Sequence, residues 1–86
     1  MRQESVEVTH AAGLHARPAS EFVNTSGRFQ SSVQVTFNDK TVDGKSILGI
    51  MSLGVAKGKT ITLTVDGPDE DEAMATLVAL FQPKDE

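Results

Sequence analysis

The chain has 86 residues, enough for one small domain with a modest core and too few for a separate catalytic domain. Twelve acidic against eight basic side chains give a net charge of −4, which sets aside a general role on nucleic acid, and the lack of cysteine excludes disulfides and thiolate-held metals. The longest apolar candidate, near Ile47 to Ala56, is broken by Ser52 and two glycines, and Met1-Arg2-Gln3-Glu4-Ser5 leads into no apolar signal segment. A soluble cytoplasmic protein without membrane insertion is expected.

Val6 and Val8 alternate with polar neighbours and predict a short, half-buried first strand. Ala16, Ala19, Phe22 and Val23 recur at helical spacing, with Pro18 tolerable in a first turn and Gly27 a natural stop. Val33, Val35 and Phe37 alternate, Asn38-Asp39 makes a turn, and Thr41-Val42 returns as a shorter strand, so this stretch reads as a hairpin. After Asp43-Gly44, Ser46 stands where a helix N-cap belongs, ahead of Ile47, Leu48, Ile50 and Met51; that short helix ends near Leu53-Gly54. Ile61, Leu63 and Val65 alternate with threonines in a strand from Thr60 to Val65. Asp69 to Glu72 favour a helix start through the macrodipole, Ala73, Met74, Leu77, Val78, Leu80 and Phe81 supply its apolar face, and Pro83 marks its end.

The order strand, helix, strand, strand, helix, strand, helix, with each strand apolar on one face, predicts an α+β domain. Its sheet would be largely antiparallel, wetted on one side and covered by helices on the other. One domain over residues 1–86 is expected.

Gly13-Leu14-His15-Ala16-Arg17-Pro18-Ala19 places a histidine at the start of the first helix. First-turn N–H groups there lack intrahelical acceptors and the dipole favours negative charge, so a phosphoryl group would meet ready donors. Neutral imidazole is nucleophilic near physiological pH, and Arg17 offers a fixed cation with forked donors. Spacing alone also accommodates a plainer reading, in which His15 caps the helix and Arg17 is a solvated charge.

The same seven residues resemble the active-site signature of the HPr family, the histidine-containing phosphocarriers of bacterial sugar phosphotransferase systems. A second stretch, Lys45-Ser46-Ile47-Leu48-Gly49-Ile50-Met51-Ser52-Leu53-Gly54-Val55-Ala56-Lys57-Gly58, resembles that family's second signature. The resemblance implies an open-faced sandwich, a four-stranded antiparallel sheet with three helices on one face. It implies phosphorylation of His15 at Nδ1, phosphoryl stabilisation by Arg17, enzyme I as donor and the IIA domains of sugar transporters as acceptors. No cofactor is implied, and a monomer is expected. A phosphoramidate keeps a high transfer potential, so such a site should stabilise the phosphoryl group moderately and release it.

Ser46 is compatible with two roles. It can cap its helix, and its Lys-Ser-Ile setting resembles the regulatory serine that an ATP-dependent HPr kinase/phosphorylase modifies in Gram-positive bacteria. The added charge would repel an acidic donor surface and slow phosphorylation of His15. Ile50 and Leu53 are assigned to the core; Ile47, Leu48 and Met51 are assigned partly to partner docking. Glu21, Asn24 and Thr25 occupy much of the first helix's outer face, where members of the family often carry lysines.

Other signals are weak. Gly44-Lys45-Ser46 lacks the earlier glycine of a P-loop, which would fall at Asp39, and Asn24-Thr25-Ser26 lies on a helix of a non-secreted chain. His10 and His15 have no third ligand in sight, so no metal site is expected. Two further readings compete with the sugar-pathway carrier. One is a regulatory module whose phosphorylated Ser46 engages a catabolite-control transcription factor, although related regulatory proteins replace the histidine that is intact here. The other is a carrier in a specialised, for example nitrogen-linked, branch.

Overall fold

The computed structural model describes residues 1–8, 16–56 and 58–81, with backbone alone for Ala16, Arg17 and Pro18. Seven elements follow in order: β1 (Arg2–Glu7), α1 (Ala16–Ser26), β2 (Ser32–Phe37), β3 (Lys40–Asp43), α2 (Ile47–Ser52), β4 (Thr60–Asp66) and α3 (Glu70–Ala79). The strands form one sheet in the order β1-β4-β2-β3, and every neighbouring pair is antiparallel.

Alternation decides which face each strand turns inward. Val6, Ile61, Leu63, Val65, Val33 and Val35 are buried beneath the helices, which add Ala19 and Phe22 from α1, Ile50 from α2, and Ala73, Met74 and Leu77 from α3. Burying an aromatic or branched aliphatic side chain of this kind contributes about 1.5–3 kcal/mol. The Phe22 and Phe81 rings meet at 5.8 Å between centroids, tilted by 54°, and so join α1 to the end of α3. The opposite face is polar, with Ser5, Thr62, Thr36 and Thr41 lying across all four strands in register. This is the expected α+β sheet with helices on one side.

The first strand is longer than its apolar pattern indicates. It begins at Arg2, and Val8 continues the pairing beyond its end, with Val8 N donating to Lys59 O and Gly58 N donating to Val8 O, both at 2.8 Å. Glu4 and Arg2 share the inward face with Val6 but lie at the exposed sheet edge, where Arg2 reaches Asp71 of α3 at 3.3 Å. Polar residues suit that rim, so the period-2 signal fades while the strand continues.

β2 and β3 turn through Asn38 and Asp39, both with positive φ (52° and 66°), as a two-residue hairpin requires. The chain then leaves β3 through Gly44, whose N–H donates to Val33 O at 2.7 Å. A Cβ on Gly44 would lie 2.5 Å from Val33 Cγ1, so only glycine lets this turn press against β2 and deliver Ser46 to the start of α2.

Candidate functional site

α1 starts at Ala16, the residue after His15 in the chain, and Arg17 and Pro18 fall in its first turn. His15 lies outside the described residues, as does the side chain of Arg17. The first turn of α1 contains no acidic residue, so no carboxylate of the chain's own neutralises its positive dipole end from that turn.

The second helix start is described in full. Ser46 has extended backbone (φ −112°, ψ 117°), its Oγ accepts from Gly49 N at 3.1 Å, and its carbonyl accepts from Ile50 N at 3.0 Å. These are the bonds of an N-cap, as the sequence predicts. The preceding turn is tied twice to Asp43: its carboxylate accepts from Lys45 N at 2.9 Å and its carbonyl from Ser46 N at 3.1 Å. Lys45 Nζ donates to Phe29 O at 2.9 Å, which links this turn to the chain leaving α1.

α2 divides its apolar residues between the core and solvent. Ile50 is fully buried and Leu53 is buried at the cap, as assigned from the sequence. Ile47 is half-buried and packs against the core. Leu48 is 80 % exposed and Met51 41 % exposed, large apolar groups on a helix that carries no charge. α1 and α2 pack against each other, so the helix that carries this exposed pair lies beside the helix that begins after His15.

A different cluster, not anticipated from sequence, holds the start of α3. Asp69 accepts from Gln30 N and Ser31 N, both at 2.9 Å, and from Ser31 Oγ, while its own N–H donates to Ser31 Oγ at 3.2 Å. The serine hydroxyl, followed by the Gln30 N–H, holds the Asp69 carboxyl below its ordinary value of 3.8. Glu70 is lowered from 4.5 by the Gly67 N–H that its Oε1 accepts at 3.2 Å and by the Met1 α-amino group. This cluster pins the loop after α1 to α3 and does not touch α2. Among the described residues, no group of three or more His, Cys, Asp or Glu side chains could hold a metal ion, and no helix is long and apolar enough to cross a membrane.

The family model for the "PTS HPr component phosphorylation site" matches residues 2–83. The chain belongs to the HPr family. Its sequence is 49 % identical over 81 residues to phosphocarrier protein HPr of Neisseria meningitidis serogroup A, covering 94 % of this chain and 91 % of that one. It is 45 % identical over 82 residues to the HPr-like protein Crh of Halalkalibacterium halodurans, covering 95 % and 98 % respectively. The crystal structure of HPr-C-His from Thermoanaerobacter tengcongensis superposes with a TM-score of 0.92 at 46 % identity, over 94 % of this chain and 91 % of that one. HPr proteins are phosphocarriers of the phosphotransferase system, a class of phosphoryl carriers rather than of enzymes.

Proposed function

We propose that this chain is a single HPr-like domain over residues 1–86 that accepts a phosphoryl group from phospho-enzyme I on His15 and passes it to IIA domains of sugar transporters. The observation that carries this reading is the match of the family's phosphorylation-site model over residues 2–83, a span that includes Gly13 to Ala19, with α1 starting one residue after the histidine. The neutral imidazole Nδ1 attacks phosphorus, an N–P bond forms, and the bond from phosphorus to the donor breaks. Arg17 supplies a cation to the phosphoryl oxygens, and first-turn N–H groups of α1 supply hydrogen bonds. No cofactor takes part, and the protein acts as a cytoplasmic monomer. In the second transfer, the N–P bond breaks as the acceptor's nucleophile takes the phosphoryl group.

Leu48 and Met51, with the half-buried Ile47 beside them, form the apolar contact for both partners, and the thioether of Met51 adapts to more than one socket. Ser46 is the regulatory position, phosphorylated from ATP by HPr kinase/phosphorylase. Its Oγ can keep the Gly49 N–H bond as a phosphoester, so the fold survives while nearly two negative charges appear beside the docking face. A second reading, a regulatory module for a catabolite-control transcription factor, draws support from the similarity to an HPr-like Crh protein. A carrier in a specialised branch would use the same His15 chemistry with other acceptors.

Incubation with enzyme I and labelled phosphoenolpyruvate should give an acid-labile label on the wild type and none on His15→Ala. An unlabelled wild type with a matched enzyme I overturns the carrier reading. Equal rates of His15 phosphorylation in wild type and Ser46→Asp would remove the regulatory role of Ser46.

A further inference from the structure

The chain leaving α1 is gripped from two sides at a single peptide group. Phe29 O accepts from Lys45 Nζ at 2.9 Å, and Gln30 N, the other end of the same peptide unit, donates to Asp69 Oδ2 at 2.9 Å. In a trans peptide the carbonyl and the N–H point in opposite directions, so a cation faces the negative end of this peptide dipole and an anion faces its positive end. Both bonds are charge-assisted, and each polarises the peptide in the sense that strengthens the other. Phe29 packs against the core, and Lys45 and Asp69 are both half-buried, so salt screens this arrangement less than it would a pair on the open surface. Lys45 stands one residue before the Ser46 cap of α2, and Asp69 one residue before α3.

We propose that Lys45 is a positioning residue for phosphoryl transfer: it holds the start of α2 to the chain leaving α1 through the Phe29–Gln30 peptide, and Asp69 steadies it from across that peptide. This rests on the carrier reading. A partner must meet His15, just before α1, together with Leu48 and Met51 on α2, so the placement of one helix relative to the other enters the docking geometry. The two helices pack together, but α2 has six residues and no charge of its own to fix it there. Ser46 closes the end of α2 locally, and Lys45 supplies the longer-range anchor from the turn before it. A fixed displacement of about 1 Å in such a geometry can cost about 100-fold in rate. A released tether misplaces α2 only part of the time, so its cost is smaller and falls on KM.

The test is the steady-state rate of His15 phosphorylation by the enzyme I encoded in the same genome, for wild type, Lys45→Met, Asp69→Asn, the double variant and Lys40→Met. Lys40 is exposed on β3, and its replacement removes the same charge as Lys45→Met. Lys45→Met should raise KM about 3- to 5-fold with kcat within about 1.5-fold of wild type, and Lys40→Met should leave KM within about 1.5-fold. Asp69→Asn changes net charge in the opposite direction, yet it should also raise KM, by about 2- to 4-fold. The double variant should resemble Lys45→Met alone and fall short of the product of the two single effects. At about 1 M salt, where the screening length is about 3 Å, the KM of Lys45→Met should stay raised relative to wild type. In amide NMR, Lys45→Met should move the Gln30 amide proton upfield, because the peptide that donates to Asp69 loses its polarising cation.

A KM for Asp69→Asn at or below that of wild type overturns the proposal, as does a double variant equal to the product of the single effects. A Lys45→Met effect that vanishes at high salt also overturns it, because it would make Lys45 a direct ion-pair partner of the donor. Should Asp69→Asn fail to fold at the assay temperature, the salt series and the Gln30 amide of Lys45→Met decide, and an unmoved Gln30 amide proton contradicts the relay. In all these cases the labelled wild type leaves the carrier reading standing. A wild type that takes no label overturns the carrier reading, and this proposal with it.

Discussion

The starts of α2 and α3 are built on opposite plans. At α2, Ser46 caps its own helix with one short-range bond, and the residues that follow leave Leu48 and Met51 in solvent. At α3, Asp69 forms no side-chain bond to its own first turn and is occupied instead by Gln30 and Ser31, while the helix behind it buries Ala73, Met74 and Leu77. One helix start is closed by the tertiary fold, whereas the other is closed only locally and borders an apolar surface. A hydroxyl held by a local cap can be modified without unfolding the protein, whereas a carboxylate that anchors a distant loop cannot be altered without loosening it.

The largest expected effect lies at the closed end. A Cβ on Gly67 would come within 2.6 Å of Ser31 Cα, where backbone cannot give way easily. Gly67→Ala should therefore destabilise the protein by about 1–3 kcal/mol in urea unfolding. At the open end, Ser46→Ala removes the cap and should cost about 1 kcal/mol. Ser46→Asp keeps an acceptor for Gly49 N and should stay within about 0.5 kcal/mol of wild type while slowing enzyme I-dependent phosphorylation.

A pH series separates the two ends further. The folded-state pKa of Asp69 lies below 3.8 and that of Glu70 below 4.5, so both contribute stability that is fully present above those values. That contribution is lost as pH falls through their folded-state values. The unfolding midpoint of the wild type should drop below about pH 4. Asp69→Asn should start lower at neutral pH and fall less steeply in acid, whereas Ser46→Ala should shift the whole curve without changing its acid slope. The smallest effect on stability belongs to Leu48→Ala, within about 0.5 kcal/mol because the side chain is already in water. The same variant should lower kcat/KM for phosphoryl transfer about tenfold if Leu48 anchors the complex.

The difference between the two ends also explains what the sequence could reveal. Ser46, three residues before Gly49, is a local signal, and the alternation from Thr60 to Val65 is another; both elements are found where those patterns place them. The Asn38-Asp39 turn is equally local, because two adjacent residues tolerant of positive φ suffice to make it. Asp69 reads as a helix-start acid because its dipole argument is local, but its partner Ser31 is 38 residues away and is brought there by the β2–β4 register and the close approach of Gly67. No periodicity encodes that meeting. β1 hides its first residues for a related reason, since Arg2 and Glu4 stand on its inward face at the exposed sheet edge, where no apolar residue announces the strand. Likewise, residue order does not show that Ile47 leans on the core while Leu48 faces water, which depends on how α2 rolls on the sheet. His15 is the opposite case: its spacing suits a cap as well as a carrier, and it is the resemblance to the HPr family that favours the carrier we propose.

The central claim is that His15 carries the phosphoryl group, and nitrogen NMR of imidazole-labelled protein tests it most directly. After reaction with enzyme I and phosphoenolpyruvate, the account predicts phosphorus coupling on Nδ1 of His15 and on no other nitrogen, lost when a IIA domain and its sugar transporter are added. Coupling on His10, or a phosphorylated chain with both histidines unchanged, would contradict it.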